Sequence, residues 1–201
     1  MENKARNQLI LAITAGIILV APIAAWATTA DFLSIRQALV KTSSDKVDSA
    51  KMNTRAVIPK DGSGGAFGYG ELTSGTVIVS TTHPGVLDSV TQGGDKNNPV
   101  FHNHYTQLIF PPNDHCGANP EVDLTTLTFG SPGKLTVAGP NLVQKNLPKS
   151  FEGQTQTNIL IGPKVVSFEL LPIFDPPNDP NGDLEAVCVT NIQPADRIVE
   201  N

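Results

Sequence analysis

Four histidines, His83, His102, His104 and His115, fall within 33 consecutive residues of a 201-residue chain that has no others. In the stretch "VFHNHYTQLIF", residues 100–110, His102 and His104 are separated by one residue. On a strand the side-chain period is two, so both imidazoles project from one face with Cα atoms roughly 6.5 to 7 Å apart. One ion could bind both. A metal centre needs a third and usually a fourth ligand, and the nearby side chains of the right type are His115, Asp114 and His83. His115 lies across the turn "PPND", which can fold the chain back to the same end of a sheet. His83 ends the run "SGTVIVSTTH" before Pro84-Gly85, so it is expected at a strand end or loop. An imidazole-rich set favours copper or zinc over calcium or magnesium, which take oxygen ligands. The competing reading leaves these histidines solvated or hydrogen-bonded on a sheet surface. The protein would then be a structural or interaction module of the cell envelope, with an envelope protein as partner and no metal.

The H-x-H pair, the loop cysteine Cys116 and a second cysteine on the last strand, Cys188, resemble the copper-zinc superoxide dismutases, which are exported β-barrels. The resemblance covers those four residues. That family needs further histidines downstream for its bridged copper and zinc, and none follows His115. Cupins also use H-x-H but need a Glu a few residues on and a later His, where this chain has "YTQL". A blue-copper site needs a late Cys, His and usually Met, whereas Met1 and Met52 are both early. No family is assigned on these residues.

Other motifs carry less chemistry. In "DPPNDPNGDLE", Asp179, Asn181 and Asp183 alternate as in the first half of an EF-hand loop. Gly182 misses the sixth position, however, and Thr190 stands where a bidentate Glu is required, so a hairpin turn is expected. The run "DGSGGAFGYG", residues 61–70, lacks the G-K-[ST] ending of a phosphate loop. It reads as a flexible loop whose Phe67 and Tyr69 are exposed or packed on the loop itself. No G-x-S-x-G elbow and no identifiable general base point to catalysis.

The elements that must position the histidines follow from patterning. Residues 1–27 combine Lys4 and Arg6, an apolar run from Leu9 and the small-residue ending Ala25-Trp26-Ala27, as in a signal peptide or N-terminal membrane anchor. A secreted or otherwise extracytoplasmic domain is expected. Without that segment 12 basic and 18 acidic residues remain, a net charge of −6 against −5 for the whole chain, and no basic run exists to bind nucleic acid. Two cysteines in an exported chain predict a Cys116–Cys188 disulfide, which stabilises by about 4 kcal/mol if its effect is to restrict the unfolded chain.

Residues 28–54 carry Phe32, Ile35, Leu39, Val40 and Val47 at roughly helical spacing, predicting a short helix and linker. From residue 55 to 201, short runs of Val, Ile, Thr and Phe are broken by Gly, Pro, Asn and Asp every eight to fifteen residues. That predicts an all-β domain, an antiparallel β-sandwich of about eight strands, Ig-like or barrel-like. The expected strands are "RAVIP", "SGTVIVSTT", "VFHNHYTQLIF", "VDLTTLTFG", "GKLTVAG", "TNILIG", "KVVSFELLPIF" and "LEAVCVTNI", the last two as a hairpin. In the last, Leu184, Ala186, Cys188 and Ile192 share one parity, which places Cys188 toward the core.

Overall fold

Short strands broken by turns make up most of the described chain after residue 30, and the fold is nearly all β. The computed structural model describes residues 30–43, 46–71, 75–84, 99–155, 164–177 and 182–200. The export segment and the expected strand "TNILIG" lie outside the described residues. The strands are β1 Ile35–Ser43, β2 Lys46–Thr54, β3 Phe67–Glu71, β4 Val77–Thr82, β5 His102–Thr106, β6 Leu108–Ile109, β7 Glu121–Val122, β8 Lys134–Ala138, β9 Asn141–Lys145, β10 Ser150–Phe151, β11 Gln154–Thr155, β12 Val165–Asp175, β13 Asp183–Pro194 and β14 Ile198–Glu200. A 3-10 turn, Asp31–Leu33, precedes β1. No helix among the described residues is long and apolar enough to cross a membrane.

Two large sheets result. A five-stranded sheet runs β14-β1-β2-β9-β8, with β14 parallel to β1, so it is mixed where an antiparallel sheet is expected. A seven-stranded antiparallel sheet runs β5-β4-β3-β12-β13-β7-β6. Its outermost strands, β5 and β6, are consecutive in the chain with only Gln107 between them, so the sheet is nearly closed. One face of it contributes Phe67, Tyr69, Ile78 and Tyr105 to a core shared with Ile35, Val40, Met52 and Leu142 of the five-stranded sheet. The inner face carries a second cluster built on Val77, Val79, Val166, Phe168 and Val189.

The expected N-terminal helix is a β1–β2 hairpin instead. A bulge between Ile35 and Gln37 inserts an extra residue, so Ile35 and Ala38, both buried, share a face although they are three apart. That spacing is also the i,i+3 signature of a helix stripe. The hairpin is part of the domain, because β2 pairs with β9, setting Met52 opposite Leu142. The Gly-rich run is not a flexible loop either. Its second half is β3, with Phe67 and Tyr69 fully buried and the Tyr69 hydroxyl donating to the Phe32 carbonyl at 2.6 Å. The intervening glycine is required: a Cβ at Gly68 would lie 2.7 Å from Thr81 Cγ2 and 2.8 Å from the Phe168 ring.

"RAVIP" is irregular, and "VDLTTLTFG" is a strand only at Val122. There Asp123 accepts from the backbone N–H and hydroxyl of Thr125, an Asx turn that ends the ladder. The β12–β13 hairpin forms as expected, with Leu171 opposite Cys188. A bulge between Ile173 and Phe174 on its partner register shifts Leu184 out of parity with Ala186 and Cys188, so Leu184 joins Val187 and Val189 on the inner face.

Candidate metal centre

Antiparallel pairing of β4 with β5 sets Thr81 opposite His102, Val79 opposite His104 and Val77 opposite Thr106. Both histidines therefore point to the inner, apolar face, where they are 2 % and 3 % exposed. Asn103 and Tyr105, between and after them, point the other way into the shared core. His83 stands two residues beyond Thr81, so its ring is carried diagonally across to His102.

The three rings converge. One imidazole nitrogen from each of His83, His102 and His104 can be chosen so that all lie within 4.8 Å of one another. His83 and His102 approach edge to face, with Nε2 atoms 2.9 Å apart. His102 Nδ1 donates to the Val100 carbonyl at 2.9 Å, and His104 Nδ1 donates to the Thr128 carbonyl at 2.6 Å. A carbonyl only accepts, so both rings carry their proton on Nδ1 and, when neutral, the lone pair on Nε2. Backbone carbonyls orient metal-binding histidines in the same way. Because His102 Nε2 then accepts, the 2.9 Å contact requires a proton on His83 Nε2.

The strand behind the site is fixed from both sides. Below it, Gln144 Nε2 donates to Ser80 Oγ at 2.8 Å, Ser80 donates to Asn103 Oδ1 at 2.6 Å, and Asn103 Nδ2 donates to the Pro132 carbonyl at 2.8 Å, all buried. Along its outer edge, the backbone N–H groups of Asn103, Tyr105 and Gln107 donate to the hydroxyls of Ser131, Thr128 and Thr126. The Thr-rich segment expected as a strand therefore lines β5 with hydroxyls, while Thr128 and Asp123 return N–H groups to the Tyr105 and Gln107 carbonyls.

His115 and Asp114 do not join the three. Cys116 is bonded to Cys188, and Cys188 pairs with Glu121 on β7, so the bridge delivers His115 to Glu121. His115 Nδ1 lies 3.2 Å from Glu121 Oε1, with the ring 38 % exposed. The third imidazole comes instead from His83. Sequence reasoning missed Thr128, whose carbonyl holds His104. It also missed Thr81, whose place two residues before His83 on the same strand face could have flagged it.

The inner face of the nearly closed sheet lines a partly open cavity of about 250 Å³. Its walls include Val79, Leu108, Phe168, Leu170 and Val189, and its polar members are His83, His104, Thr81 and Thr106. Glu71 belongs to the opposite side of the sheet. Burial pushes its carboxyl up to about 7, with the nearby Glu200 charge adding to the effect, and its Oε1 has no hydrogen-bond partner among the described residues. The Cys116–Cys188 disulfide fits an oxidising, extracytoplasmic setting. No protein-family model matches the chain, and neither does any curated protein or solved structure.

Proposed function

We propose that this chain is an exported β-domain protein that binds one transition-metal ion, copper or zinc, through His83, His102 and His104. The observation that supports it is the convergence of three imidazoles, two from β5 and one from the residue after β4, with the two on β5 oriented by backbone carbonyls. With zinc–nitrogen bonds of about 2.0 to 2.1 Å, ligand nitrogens in a tetrahedral site lie about 3.3 Å apart. His83 and His102 need to separate by a few tenths of an ångström, and no pair of ligand nitrogens needs to close by more than about 1.5 Å. Binding through Nε2 of the neutral His83 ring requires its proton to sit on Nδ1 instead. An all-nitrogen set suits zinc and copper. Storage, delivery or structural use of the ion is the role assigned, since no general base stands beside the histidines among the described residues.

The test is metal content and titration. The purified chain is expected to retain zinc or copper near one equivalent and to gain melting temperature when either is added. A His102→Ala/His104→Ala double variant is expected to lose both. A melting temperature that ignores both metals overturns the reading and leaves a non-catalytic module of the cell envelope.

A further inference from the structure

We infer that the cavity beside the histidines takes a small monocarboxylate with an apolar body, its carboxylate completing the coordination of the metal ion. The inference rests on the metal reading above and assigns the ion's remaining position. Three protein ligands leave a tetrahedral ion one open site. His83 and His104 both border the cavity, so that site faces a mostly apolar, partly open space.

Size, charge and hydrogen bonding restrict the occupant. An apolar cavity of about 150 Å³ holds benzene, so one of about 250 Å³ has room for roughly ten non-hydrogen atoms. The walls offer Val79, Leu108, Phe168, Leu170 and Val189 to its body. A divalent ion held by three neutral imidazoles keeps two positive charges beside a mostly apolar wall, where an anionic head is favoured and a neutral one leaves the charge uncompensated. Thr81, 4 % exposed, also borders the cavity, and its hydroxyl has no hydrogen-bond partner among the described residues. It supplies an O–H donor for the second carboxylate oxygen.

Octanoate, with ten non-hydrogen atoms, is the probe, titrated calorimetrically into the full chain with and without zinc. Octanoate is expected to bind the zinc-loaded chain at least ten-fold more tightly than the metal-free chain and at least ten-fold more tightly than acetate, which has the same head and no body. Val187→Trp and Leu184→Trp each fill the cavity from β13, three strands from β4. Each is expected to keep zinc stoichiometry and lose octanoate. Acetate binding as tightly as octanoate, or octanoate binding unchanged in a filled variant, overturns this inference while intact zinc stoichiometry preserves the metal reading. A chain that takes up no zinc overturns both.

Discussion

Thr128 holds His104 and its neighbour together: its carbonyl accepts the His104 Nδ1–H at 2.6 Å, and its hydroxyl accepts the Tyr105 N–H at 3.0 Å. A single loop residue thus sets both the ring and the strand beneath it. Thr128→Val keeps the volume and the carbonyl but leaves the Tyr105 N–H without its acceptor. The expected result is a loss of about 1 to 3 kcal/mol in urea unfolding. Zinc affinity should fall about ten-fold, as for other groups that orient metal ligands. Lower stability with unchanged zinc affinity would show that β5 alone positions His104.

His115→Ala is expected to leave zinc affinity unchanged within two-fold. Its ring is engaged with Glu121 on the far side of the seven-stranded order from β4, and the bridge next to it fixes that placement. A ten-fold loss on titration would return His115 to the ligand set.

The same bridge closes a 72-residue separation. Replacing both partners, Cys116→Ala/Cys188→Ala, is expected to cost about 4 kcal/mol by denaturant titration, the entropy that the cross-link withholds from the unfolded chain. Zinc stoichiometry should survive under conditions where the variant stays folded, because the three imidazoles sit on and beyond other strands.

Glu71 makes stability depend on pH. Its folded value of about 7 lies above the ordinary 4.5, so between those values the folded chain holds a proton that the unfolded chain has lost. Stability therefore falls as pH rises through that window, and the penalty is complete above about 7. Glu71→Gln removes the slope. The variant is expected to be more stable than the parent at pH 8, by up to roughly 3 kcal/mol, and no more stable at pH 4. Parallel melting curves for the two proteins from pH 4 to 8 would refute this.

Gly68→Ala tests the close approach of β3 to the inner face. The added methyl meets Thr81 and Phe168 together, and relieving that contact is expected to cost about 1 to 3 kcal/mol by thermal unfolding. A neutral result would mean that Phe168 turns away freely.

The sequence discloses those parts of the fold that depend on neighbours. The period of two alone puts His102 and His104 on one face, and the turn-rich connector alone predicts the β12–β13 hairpin. What it hides is set at a distance. Gly68 is small because Phe168, a hundred residues later, lies against it. The bulge after Ile35 turns a strand into an apparent helix stripe. His83 rather than His115 completes the trio because β4 pairs with β5 while a disulfide draws His115 to β7, and neither pairing is written in local spacing. The cavity is a property of six strands and three connecting segments at once.

The hydroxyl lining of β5 also governs how this molecule meets its own copies. An outer strand with unengaged N–H groups is a template on which another chain can add a rung, the first step toward fibrils. On β5 those of Asn103 and Tyr105, and that of Gln107 just beyond, already belong to Ser131, Thr128 and Thr126. Growth by strand addition is thereby turned away from the β5 margin of the histidine sheet, the margin that carries His102 and His104.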